Sequence, residues 1–143
     1  REYLIPCLAS HTPLQVVVIM LGTNDLKHRF SLTAYDVAEG AGALVDIVCG
    51  SSTGPDGRAP KVLLVAPPPL STLSDYADMF RGATAESLRL GEQFARVARA
   101  RGCALLDAGT VVDSSPIDGI HLDAKGHAAL GHAVAESIRA LLG

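Results

Sequence analysis

The sequence predicts an α/β fold of three layers around a parallel sheet, and three observations carry that expectation. Gln15 to Leu21, "QVVVIML", is a continuous apolar run rich in β-branched residues, the pattern of a strand buried on both faces. Lys61 to Ala66, "KVLLVA", and Cys103 to Ala108, "CALLDA", repeat it downstream. Segments with apolar residues at helical spacing follow each run, so strands and helices alternate with connections long enough for crossovers.

Taken in order, Tyr3 to His11 reads as a short helical or irregular approach broken by Pro6. Gln15 to Leu21 is the first strand, and Thr33 to Val48, running into Gly50, is a helix. "CGSSTGPDGRAP", 49–60, is dense in Gly, Ser and Pro and belongs on the surface as a loop. The second strand, 61–66, ends at "PPPL", because proline cannot donate to a ladder. Ala83 to Arg101 is expected as one helix with Leu88, Leu90, Phe94, Val97 and Ala98 as its inward stripe, closed by Gly102. After the third strand, Ala124 to Leu142 is the final helix, with Asp123 as its N-cap. No internal repeat or low-complexity segment interrupts this order.

Bulk properties narrow the possible functions. With 143 residues, 48% of them hydrophobic, the chain suits one domain or part of one. A net charge of -3 without any Lys/Arg cluster gives no footprint for nucleic acid or an anionic membrane. No apolar run approaches the roughly 18 to 20 residues that cross a bilayer. Cys7, Cys49 and Cys103 lie far apart among apolar neighbours and lack CxxC spacing, so they are expected as reduced, buried thiols. Their chemistry favours an intracellular, cytoplasmic setting.

Right-handed crossovers put every strand's carboxyl end on one edge, where open α/β sheets bind ligands. The loops leaving that edge are "GTND", "PPPLSTLSDYADMF" and "GTVVDSSPIDGIHLD". In the third, Asp118 and His121 are three apart with Gly119 between them, a spacing that lets the carboxylate fold back onto the Nδ1 proton of the imidazole. That fixes the tautomer and leaves Nε2 as an acceptor facing the cleft, the base half of a nucleophilic triad. A helix entry whose acids merely cap amides would look the same. "GTND" by itself fits an ordinary turn.

Together the two motifs resemble the SGNH hydrolases, the GDSL-type esterase and lipase superfamily, whose third block is G-x-N-D and fifth D-x-x-H. "YLIPCLASHTPLQVVVIMLGTNDLK" and "KVLLVAPPPL" are similar to its bacterial arylesterase and acyltransferase branch. The resemblance implies a flavodoxin-like fold and an ester hydrolase or acyltransferase acting on small-molecule esters without metal or organic cofactor. It implies that Asn24 gives its amide to the oxyanion hole and that Asp118 and His121 complete a triad. Asp25 is expected to tie its loop down by accepting backbone N–H bonds. The family's first block, G-D-S, and its second are not in this sequence, and no serine here follows Gly-Asp. Ser114 and Ser115, on the same loop as the base, are expected to form turns.

Residues 1–143 are therefore expected to be the C-terminal portion of a single SGNH domain, with the first strand or strands missing. A companion N-terminal chain of the same gene product would carry the nucleophilic Ser and pair beside Gln15 to Leu21, and a homo-oligomer is implied. Two readings compete with this one: deacetylation of a carbohydrate by the same residues, and a non-catalytic α/β binding module. His127 and His132 are five apart, unlike the i, i+4 metal pair of H-E-x-x-H, and are expected to be structural or on the surface. "EGAGA", 39–43, lacks the third Gly of a dinucleotide loop. Leu70, Leu73, Tyr76, Met79 and Phe80 form either an acyl or alcohol pocket or a subunit contact.

Overall fold

In the computed structural model, which describes residues 2–143, β1 (Val16–Ile19), β2 (Lys61–Ala66) and β3 (Ala104–Asp107) form a parallel sheet in the order β1-β2-β3. Val16 lies opposite Lys61 and Ile19 opposite Leu64; Leu63 lies opposite Ala104 and Ala66 opposite Asp107. Successive side chains of a strand face opposite ways, and β2 divides its residues accordingly. Val62, Leu64 and Ala66 pack with α2 (Ala34–Cys49) and α4 (Leu90–Arg101) through Val37, Val45, Val48, Phe94 and Val97. Leu63 and Val65 pack on the other face with Leu130 and the half-buried Val134 and Ile138 of α5 (Ala124–Leu142). The three layers are helices, sheet and helix, as the run of strand and helix patterns implies.

Local chemistry sets the helix ends. α2 opens with a capping box: the Thr33 hydroxyl accepts from the Asp36 N–H at 3.3 Å, and an Asp36 oxygen accepts from the Thr33 N–H at 3.0 Å. Asp123 caps α5 as expected, its Oδ1 accepting from the Gly126 N–H at 2.7 Å. α4 ends at Gly102, whose φ of 64° lets the Cys103 N–H reach back to the Ala98 carbonyl at 3.1 Å.

Several expectations are corrected. Pro6 does not break its segment, since it sits in the first turn of helix α1 (Leu4–Ser10), where its missing N–H has no intrahelical partner to lose. β1 is shorter than its apolar run, because Met20 and Leu21 lie past the last paired residue, and β3 loses one residue at each end, whereas β2 spans 61–66 as expected. Ala83 to Arg101 is two helices, α3 (Ala83–Ser87) and α4, with Leu88 and Arg89 at the jog. At the end of α3 the buried Ser87 hydroxyl donates to the Thr84 carbonyl at 2.8 Å and accepts from the Leu70 N–H at 3.0 Å. Leu88, at the jog, is 67% exposed and leaves the inward stripe, whereas Leu90, Phe94, Val97 and Ala98 remain buried. Cys49 is exposed at the end of α2 and Cys7 and Cys103 are half-buried, so the three free thiols are not core residues.

No helix among the described residues is long and apolar enough to cross a membrane. Strand polarity brings the segments 20–33, 67–82 and 108–123 to one edge of the sheet.

Candidate active site

The first wall of the site is built by the exit from β1. Gly22 takes φ 135°, and a Cβ there would stand 2.7 Å from Cγ1 of Val37, so only glycine lets the chain pass this close to α2. The chain then winds into a 3₁₀ turn, Thr23–Leu26, anchored by the buried Leu26. The turn's backbone N–H groups of Asp25 and Lys27 donate to the carbonyls of Gly22 and Asn24, at 3.0 and 3.3 Å. The Asp25 carboxylate is not what fastens this loop; its side chain lines a separate groove with Leu21, Leu32 and Val37.

The second wall is the loop after β3, stitched to the loop after β2. Ser114 Oγ donates to the Pro69 carbonyl at 2.8 Å, the Ser71 N–H to the Gly119 carbonyl at 3.0 Å, and Ser74 Oγ to the Ile117 carbonyl at 3.1 Å. Ser115 Oγ accepts from the Ile117 N–H at 3.2 Å, and its own N–H donates to the His121 carbonyl at 2.7 Å. Ser114 and Ser115 are buried and employed in the turn, as expected of them. Gly119, at φ 77°, lies against the Thr72 carbonyl, where a Cβ would approach to 2.5 Å.

This frame folds Asp118 back onto His121. Oδ2 of Asp118 lies 2.6 Å from Nδ1 of His121, while Oδ1 accepts from the backbone N–H groups of Ile120 and His121, each at 2.9 Å. The hydrogen bond from His121, reinforced by the two backbone donors, holds the Asp118 carboxyl down to a pKa of about 2. An ionised carboxylate can only accept, so Nδ1 carries the ring proton and Nε2 is left as the free acceptor. The ring is 71% exposed, with Tyr76 edge-on at 6.5 Å between centroids.

Asn24 and His121 line one open cleft of about 420 Å³, together with Thr23, Lys27, Tyr76, Met79, Phe80 and Ile120. Tyr76, Met79 and Phe80 therefore belong to this cleft, while Leu70 is a core residue 5% exposed and Leu73 packs half-buried against the core. Sequence reasoning missed Thr23, Lys27 and Ile120. For Lys27 the signal is its place three residues after Asn24, the spacing at which side chains of a 3₁₀ turn eclipse. Among the described residues no serine lines the cleft. His127 and His132 are exposed on α5, and among the described residues no three His, Cys, Asp or Glu side chains are grouped to hold a metal ion.

The profile of the GDSL-like lipase/acylhydrolase family matches residues 2–129. Among solved structures, a carbohydrate acetylesterase from Sinorhizobium meliloti is similar at 42% identity and a TM-score of 0.93, over 98% of this chain and 67% of that one. The aryl esterase of M. smegmatis is similar at 39% identity and a TM-score of 0.92, over 98% of this chain and 67% of that one. A carbohydrate acetylesterase family member from Sinorhizobium meliloti gives 34% identity and 0.92, over 99% of this chain and 68% of that one. The chain thus spans about two thirds of the length of each of these proteins. No curated protein sequence matches it.

Proposed function

The chain belongs to the GDSL-like lipase/acylhydrolase family, and from that premise we propose that it supplies the base, its orienting carboxylate and an oxyanion donor to a serine esterase or acyltransferase. The observation that carries the reading is the 2.6 Å contact between His121 Nδ1 and Asp118 Oδ2 on a cleft shared with Asn24. Nε2 of His121 takes the proton of a serine hydroxyl as that oxygen bonds to the acyl carbon. The carbonyl oxygen becomes negative, and the Asn24 amide donates to it. Such a preorganised donor is worth roughly 3 kcal/mol at the transition state. When the bond to the alcohol oxygen breaks, the imidazolium returns its proton to that oxygen, and Asp118 stabilises the cation meanwhile. Water or a second alcohol then repeats the sequence on the acyl-enzyme.

The serine is proposed to come from a segment of the same gene product outside residues 1–143. Two features support this. The cleft has base and donor but, among the described residues, no serine. β1 stands at the edge of the sheet with Val18 40% exposed and, past its end, Leu21 57% exposed, an apolar edge of the kind natural proteins cover. A strand seated there ends beside Gly22, next to the cleft.

Removal of acetyl groups from a carbohydrate is a second reading, favoured by the likeness to carbohydrate acetylesterases. It uses the same three residues and differs in the alcohol accepted. Turnover of a short aryl acetate and of an acetylated sugar by the full protein tests both, and turnover of neither would leave a non-catalytic binding module.

A further inference from the structure

Lys27 is the charged residue of the cleft that ester hydrolysis leaves unused. It follows the turn Thr23–Leu26 directly, and its backbone N–H donates to the Asn24 carbonyl at 3.3 Å. The main chain thus holds Lys27 in register with Asn24 on the same wall, whichever side chain occupies position 27. The residue is half-buried, with Nζ 5.8 Å from the centroid of Phe80, a lining residue itself only 2% exposed.

Among the described residues this ammonium has no counter-ion: no carboxylate forms an ion pair with it, and no acidic side chain lines the cleft. Asp118 is committed to His121 and to two backbone N–H groups. A neutral group filling the cleft strips water from the ammonium and returns nothing for it. A carboxylate replaces that water with a charge-assisted hydrogen bond. Resting on the esterase reading above, we infer that Lys27 is a specificity-determining residue that selects esters bearing a carboxylate, on the acyl or the alcohol side, over their neutral counterparts.

Two matched pairs of substrates test this with the full protein. Para-acetoxybenzoate against its methyl ester places the anion on the alcohol side, and mono-para-nitrophenyl succinate against para-nitrophenyl valerate places it on the acyl side. In at least one pair the anion should be preferred about tenfold in kcat/KM, mainly through KM, and the preference should shrink at roughly 0.5 M salt. Lys27→Met should bring the anion-to-neutral ratio to near one, and Lys27→Arg should keep it. A ratio near one in both pairs for the unaltered protein, or a ratio that Lys27→Met leaves in place, overturns the inference. If no ester is turned over, the esterase reading fails separately and binding decides the role of Lys27. Benzoate should then bind more tightly than benzamide, with the difference lost in Lys27→Met; equal binding to the unaltered protein overturns it.

Discussion

Both oxygens of Asp118 serve His121: Oδ2 meets its Nδ1 at 2.6 Å, and Oδ1 accepts from its backbone N–H at 2.9 Å. Ring and main chain are therefore oriented by one carboxylate, which in turn sits on a turn that requires Gly119. Removing the imidazole by His121→Ala should lower kcat/KM for an aryl acetate by about 1000-fold or more while circular dichroism and Tm stay close to those of the unaltered protein. Activity retained in that variant would remove His121 from the mechanism.

The pH dependence follows from the direction of the Asp118 shift. Its carboxyl lies at about 2, below the ordinary value, so the pair stabilises the folded state above about pH 4 and that stabilisation is lost as pH falls from there towards 2. Loss of activity on mild acidification should therefore not report protonation of Asp118. A pH profile of kcat/KM checks this, and an ionisation near pH 4 that disappears in Asp118→Asn would contradict it.

Asn24 is separable from its neighbour. Asn24→Ala should lower kcat by about 100-fold or more with little change in KM, because the donor acts on the transition state. Asp25→Asn should leave kcat nearly unchanged. Steady-state kinetics on both variants decide, and a change in KM alone for Asn24→Ala would make it a substrate-binding group.

The Ser87 hydroxyl ties the end of α3 to the loop after β2, and this is testable through stability. Ser87→Ala leaves the buried Leu70 N–H without its partner, which should cost about 1 to 3 kcal/mol in denaturant unfolding. A loss below about 0.5 kcal/mol would show that the bond does not hold the loop after β2.

What could be read from the sequence and what could not divides along physical lines. Strand β2 is an apolar run whose burial follows from composition, whereas β1, an equally apolar run expected to be buried on both faces, stands at the sheet edge with Val18 exposed; GTND lies just past the end of β1 and DGIH on the loop after β3. Asp118 and His121 meet because they are three apart in one turn, a local relationship visible without the fold. At the jog after Ser87, the Leu70 N–H, seventeen residues away, donates to the Ser87 hydroxyl, a contact that no helical periodicity contains. The membership of Lys27 in the cleft depends on a 3₁₀ turn in place of an extended exit.

The central claim is that His121, Asp118 and Asn24 act on a serine that residues 1–143 do not contain. Labelling the full active protein with a serine-directed organophosphonate, followed by peptide mapping, tests it directly. The account predicts a single modified serine outside residues 1–143, in a Gly-Asp-Ser sequence, with labelling abolished by His121→Ala. Modification of Ser114, Ser115 or any other serine within residues 1–143, with activity lost in step, would contradict it.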